Sequence, residues 1–173
     1  PILFGIGARR ALSLLCGREI LLKWPNDLLL GEKKIAGILC ESAGFGEDAL
    51  AVCGIGVNLL QEPSFFAELP YGSSLWVECG VRVSPAVAGG AILTAFEQVL
   101  EEFAAGGFSP LREEYAACCI NLGREVRVVT PAGEQTGFAY GIGEDGCLLV
   151  KAPAGELAIR SGEASVRGVY GYV

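Results

Sequence analysis

Apolar side chains recur at helical spacing between residues 4 and 16, and Gly17 after them suits a helix C-terminus, so the first element is expected to be an α-helix. The pattern then shortens. Residues 20–24 read as a strand, Pro25-Asn26-Asp27 as a turn, and residues 28–30 and 34–42 as the arms of a hairpin around Gly31-Glu32-Lys33. A second turn at 44–48 leads into a strand over 49–57, and residues 59–83 form a loop-rich crossing of weak periodicity. Ser84-Pro85 starts a helix expected to run to about residue 104, where Gly106-Gly107 ends it, and Ser109-Pro110 repeats the start signal for a shorter helix through 119.

After Asn121-Leu122-Gly123 the texture changes again. Short alternating strands at 125–130, 135–142, 146–151 and 156–160 are separated by Pro131-Ala132-Gly133, Gly143-Glu144-Asp145 and Pro153-Ala154-Gly155. Strands recurring every ~8–12 residues suggest a small antiparallel barrel or sandwich. Two domains are therefore expected, 1–121 and 122–173, in an α+β fold with a mixed or antiparallel sheet.

Composition narrows the function classes. The 173 residues are 51% apolar with a mean hydropathy of +0.45, but no run approaches the ~20 apolar residues of a membrane span. The net charge is −7 and no block of lysine or arginine occurs. A nucleic-acid surface needs such a block to displace counterions, so this segment is not expected to bind nucleic acid. Seven cysteines (16, 40, 53, 79, 118, 119 and 147) show no CxxC spacing, and there is no histidine. A zinc site therefore lacks its ligands, and reduced thiols in a cytoplasmic protein are the simpler reading.

Three short strings carry the candidate chemistry: Lys23-Trp24-Pro25-Asn26-Asp27, Lys34-Ile35-Ala36-Gly37-Ile38-Leu39 and Gly54-Ile55-Gly56-Val57-Asn58. Each is bland alone: a turn, a hairpin-end lysine, and glycines that ordinarily mark a bulge or a close backbone approach. In this order they place a carboxylate, a lysine and two amides at one sheet mouth. Such a set suits a nucleotide triphosphate with its magnesium ion, with the lysine as a compact charge on a phosphoryl group. With histidine missing, no serine–histidine or cysteine–histidine pair competes.

The three strings resemble those of biotin protein ligases in order and approximate spacing. The likeness is close over residues 20–60 and looser over 84–173, where Gly162-Glu163-Ala164-Ser165-Val166-Arg167 is similar to the family's Gly-Glu-x-x-x-Arg string. The resemblance implies a biotin/lipoate-ligase type of catalytic fold followed by a small SH3-like β-barrel. It implies ATP and magnesium, biotin as substrate, and a biotin carboxyl carrier protein as partner, with a homodimer compatible. It implies Lys34 and Asp27 as catalytic residues, Asp27 also as magnesium ligand, and Asn26, Asn58, Glu163 and Arg167 around the nucleotide. Lys34, Trp24, Gly37, Gly54 and Gly56 would line the biotin. The bland reading of Glu163 and Arg167 is an exposed ion pair.

The family's arginine- and glycine-rich biotin and phosphate loop lies upstream of these strings and has no counterpart here; with Pro1 at the start and no methionine, the chain is expected to be N-terminally incomplete and poor at adenylation alone. A lipoate protein ligase and a non-catalytic biotin-sensing module are the alternative readings. Trp24-Pro25 and the strand-rich C-terminal module favour biotin over lipoate.

Overall fold

The computed structural model describes residues 1–44, 50–130, 133–162 and 165–168. Helix α1 (Ile2–Cys16) is followed by strands β1 (Leu21–Lys23), β2 (Asp27–Leu30), β3 (Lys33–Ala43) and β4 (Leu50–Val57), which pair in the order β1-β2-β3-β4. A 3₁₀ turn at Pro63–Phe66 and a short helix α2 (Leu75–Cys79) lead to α3 (Pro85–Gly106) and α4 (Ser109–Cys118). The C-terminal part contributes β5 (Arg124–Thr130), β6 (Gly133–Ile142), β7 (Leu148–Ala152), β8 (Gly155–Ile159) and β9 (Ser165–Gly168), in the order β8-β7-β6-β5-β9. Every pair of these strands is antiparallel; the parallel contacts are isolated bridges, Leu22 with Cys119 and Lys34 with Gly72.

The helix ends follow local chemistry. Gly17 takes φ 65°, and its N–H donates to the Ser13 carbonyl, closing α1. Ser84 caps α3 by accepting from the Val87 N–H, with Pro85 in the first turn. The repeat of that signal at Ser109-Pro110 works differently. Phe108 occupies the cap position without a side-chain cap, and Ser109 is already helical. In the crossing expected to be irregular, Ser74 caps α2 by accepting from Val77 N–H.

One contiguous core spans both sheets, running from Phe4, Ile6 and Leu12 of α1 through Leu22, Leu28 and Ile38 to Val126, Leu148 and Val150. Helices α1 and α3 cross at Gly7, where a Cβ would stand 2.9 Å from the Phe96 Cα, so only glycine permits that approach. Phe4 and Phe96 meet edge-on beside the crossing, centroids 4.8 Å apart. Arg10 forks to Glu102 at 2.7 and 2.8 Å and to Glu114 at 3.0 and 2.5 Å, tying α1 to α3 and α4.

The two sheets are joined through β1. The Ile120 N–H donates to Leu22 O at 2.8 Å, and the buried Asn121 side chain accepts from Trp24 N–H at 2.7 Å. Trp24 is 1% exposed, and its indole N–H donates to the Gly146 carbonyl at 3.0 Å, in the β6–β7 connection. No helix among the described residues is long and apolar enough to cross a membrane.

Candidate active site

The antiparallel registers align Lys23 with Asp27, Asp27 with Gly37, and Gly37 with Gly56, one row across all four strands. Side chains of one row share a face. Two charged groups thus stand beside two positions without side chains. Lys34 joins this row through an irregularity. Three residues apart in a regular strand, Lys34 and Gly37 would face opposite sides. Between Leu28 and Leu29 the partner shifts from Ala36 to Lys34, so β3 carries an extra residue there. The bulge turns Lys34 back onto the face of Asp27.

Asp27 is held between two lysines. Its Oδ1 lies 2.5 Å from Lys34 Nζ and its Oδ2 3.9 Å from Lys23 Nζ. Lys23 is 6% exposed. Burial depresses its pKa first, Asp27 opposes that, and the like charges of Lys34 and Arg167 depress it further. The Lys34 side chain is 38% exposed and that of Asp27 10%, so the ammonium meets solvent more freely than the carboxylate beneath it. Gly37 is the close approach: a Cβ there would sit 3.2 Å from Lys34 Cε and Nζ and 3.4 Å from Asp27 Oδ1. Gly54 and Gly56 lie exposed on the same face, with open space above Gly56 and only the Leu39 carbonyl oxygen, 3.9 Å from a Cβ, near Gly54, and β4 pairs with β3 without any bulge at these glycines.

A strap laces this row from the side. Lys34 N–H donates to Tyr71 O at 2.7 Å, and Ser73 N–H donates to Lys34 O at 3.0 Å. Asn58 completes the lacing: its N–H donates to Ile35 O, its side-chain amide donates to Ser73 O at 3.0 Å, and its carbonyl accepts from Leu75 N–H. Beneath the strap lies a cavity of about 370 Å³ bordered by Lys34, Asn58, Phe65, Phe66 and Tyr71. That volume and its mixture of aromatic and charged walls are those of a small-molecule site.

The structure brings Lys34, Asp27, Gly37, Gly54 and Gly56 together on one face and sets Asn58 at the cavity wall. Asn26 spends its amide donor on Ile38 O at 2.8 Å and its own carbonyl on Ile38 N–H, fastening the turn to β3. Trp24 borders a different, larger cavity of about 610 Å³ with Phe4, Phe96 and Gly146, whose lining does not include Lys34. Arg167, exposed on β9 opposite Arg127, contributes its charge at Lys23. Glu163 lies outside the described residues.

Two contributors escaped the sequence reading. Lys23 is a charged residue inside an apolar strand, a signal visible in the string but ambiguous until the register puts it opposite Asp27. The backbone of 71–73 leaves no sequence signal at all. Among the described residues no three acidic, cysteine or histidine side chains converge on a metal. Asp27 as one carboxylate fits magnesium only in the way that ion is held with a nucleotide, through one or two carboxylates plus phosphate oxygens.

Comparison with known proteins now decides the family. The Biotin/lipoate A/B protein ligase family profile matches residues 8–58, and that of the Biotin protein ligase C terminal domain matches residues 122–167. The biotin--[acetyl-CoA-carboxylase] ligase of Paracoccus denitrificans is 36% identical over 164 residues, covering 91% of this chain and 68% of that protein. The chain belongs to the biotin protein ligase family. The bifunctional ligase/repressor BirA of Bacillus subtilis is 29% identical, with 94% of this chain matched to 51% of its length, so the chain spans about half of that relative. The biotin protein ligase of Aquifex aeolicus in complex with biotin and ATP superposes with a TM-score of 0.83 at 29% identity, over 97% of this chain and 70% of that one. The family profile over 8–58 contains the whole Lys23–Asp27–Gly37–Gly56 row together with Lys34 and Asn58.

Proposed function

We propose that this chain forms the nucleotide-facing part of an ATP-dependent biotin protein ligase. A biotin carboxylate oxygen attacks the α-phosphorus of ATP and expels pyrophosphate, giving biotinyl-5′-adenylate. A lysine amine of a carrier domain, such as that of acetyl-CoA carboxylase, then attacks the acyl carbon, releasing AMP and a proton. The observation that carries this reading is the half-exposed Lys34 ammonium, braced by the buried Asp27 carboxylate, above a floor of glycines. A fixed cation at that place stabilises charge growing on a phosphoryl group while backbone lets the acyl donor come close. On a chain of net charge −7, the grouping of Lys23, Lys34 and Arg167 favours an anionic ligand at this one place.

In this reading Lys34 holds the biotin carboxyl and the α-phosphate. Asp27 holds Lys34 and supplies one magnesium ligand, with the nucleotide's phosphates supplying others. Gly37, Gly54 and Gly56 form the floor under biotin, and Trp24 packs behind it. Asn58 and the cavity beside Phe65 and Phe66 take the nucleoside, Asn26 keeps the turn in register under the phosphates, and Glu163 and Arg167 close from the C-terminal part. We divide the chain into 1–121 and 122–173, a reading supported by a C-terminal family profile that begins at residue 122. The five-stranded sheet would correspond to an SH3-like barrel, and the outer edge of β4 offers a two-fold strand pairing for a homodimer in the cytoplasm.

The test is pyrophosphate release by the full-length protein given ATP, magnesium and either biotin or lipoate. Release with biotin alone supports the reading. Release with lipoate alone moves the chain to the sister activity, and silence with both, from a folded protein, overturns ligase function in favour of a binding module.

A further inference from the structure

All seven cysteines are free; Cys16 and Cys79 also adjoin one another, but two others face each other across paired strands. Cys40 on β3 and Cys53 on β4 are direct cross-strand partners, and their sulfurs lie 2.9 Å apart. Directly opposed residues of an antiparallel pair have Cβ atoms about 4.5–5.5 Å apart, close to the ~3.5–4.5 Å that a disulfide requires, so closure needs only a small movement of two strands already paired. Both residues are partly exposed. Cys53 also borders the cavity of about 610 Å³ beside Phe4 and Phe96, which gives a small oxidant room to reach it. Cys118 and Cys119, by contrast, are buried neighbours in sequence with their sulfurs directed to Glu114 O and Asn121 Oδ1.

We propose that Cys40 and Cys53 form a reversible disulfide, a redox latch that ties β3 to β4 three register positions along from the Gly37–Gly56 step of the site, on the opposite face of the sheet. With a peroxide as oxidant, one thiolate attacks a peroxide oxygen, giving a sulfenic acid and a hydroxide that takes up the thiol's released proton as water. The second thiolate attacks that sulfur, the S–S bond forms, and hydroxide leaves to take up a proton as a second water. Two thiols have then lost two electrons and two protons in total, and the peroxide has gained them. A dithiol reverses the step by exchange. Burial and the neighbouring Cys40 push the Cys53 thiol up, which makes it the slower nucleophile and leaves juxtaposition as the cause of pairing. Latched, the strand that carries Lys34 and the strand that leads to Asn58 are joined covalently.

The test uses the folded, unsubstituted full-length protein treated with hydrogen peroxide, blocked with iodoacetamide, digested without reductant and read by mass spectrometry. The expected product is one peptide pair linked through Cys40 and Cys53 that is lost on dithiothreitol and forms at least about tenfold faster than in the chain unfolded in guanidinium chloride, because the fold supplies the proximity. Alkylation of both residues after peroxide treatment overturns the proposal. So does oxidation past the sulfenic state without linkage, or linkage at the same rate in the unfolded chain. The readout is on the native sequence, so no variant's folding enters it.

Discussion

Gly37→Ala separates the geometry of the site from the stability of the fold. The new methyl would stand 3.2 Å from Lys34 Cε and Nζ and 3.4 Å from Asp27 Oδ1, a few tenths of an ångström inside ordinary contact. Nearly all of that conflict falls on the end of a flexible side chain, and Gly37 does not have a positive φ. Restricting the unfolded chain stabilises by about 0.4–1 kcal/mol, while an off-rotamer lysine costs about 0.5–1.5 kcal/mol, so the net change in stability is near zero. A displacement of 1 Å at a reacting centre costs about 100-fold, so a shift of 0.3–0.5 Å in Lys34 is expected to lower kcat/KM for adenylation about 4–10-fold. The assay is biotin-dependent pyrophosphate release by the full-length protein, run beside a thermal melt. Unchanged kcat/KM with an unchanged Tm would show that the position of Lys34 does not limit the chemistry. A Tm lowered by more than about 5 °C would show that the methyl meets something less yielding than a lysine end.

Lys34→Ala removes the preorganised charge itself and should cut adenylation at least about 100-fold; near-normal pyrophosphate release from the folded variant would take Lys34 out of its role. Trp24→Phe orphans the Gly146 carbonyl that its indole serves at 3.0 Å. A buried acceptor left bare costs about 1–3 kcal/mol, a fall in Tm of roughly 2–12 °C, and a smaller fall would show the joint between the sheets does not depend on that bond. Burial pushes the Cys118 thiol from 9.0 up to about 11. The folded state binds that proton more tightly than the unfolded one, so this contribution is whole below pH 9 and is lost as pH rises towards 11. Thermal melts between pH 8 and 11 should show a shallower alkaline decline in Cys118→Ala than in the unsubstituted protein; parallel declines would contradict the assignment.

Much of the architecture was legible because its signals are local. Gly17 and Gly107 mark helix ends by their conformation, both with positive φ; Ser84 marks a start by its hydroxyl, and the strand pattern through 57 follows from alternation and turn residues. The short helix α2 and strand β9 were not legible. α2 spans five residues, too few to establish a period, and β9 is recognisable as a strand only through its pairing with β5. Ser109 failed as a cap because Phe108 already has helical φ and ψ and takes the cap position.

The sequence by itself determined most of the groups the candidate site contains, since the three strings name a carboxylate, two lysines, two amides and three glycines, and the lack of histidine removes the competing chemistries. Where those groups stand was decided by the tertiary structure. Lys34 and Gly37 belong on opposite sides of any regular strand, and the bulge against Leu28 and Leu29 puts them on the same face. Lys23 becomes a second brace for Asp27 because the β1–β2 register sets it opposite. Asn26 and Asn58 have their amide donors engaged by the backbone of β3 and of the strap. A string of residues carries chemical identity, whereas register, bulges and long-range hydrogen bonds exist only once the strands have met.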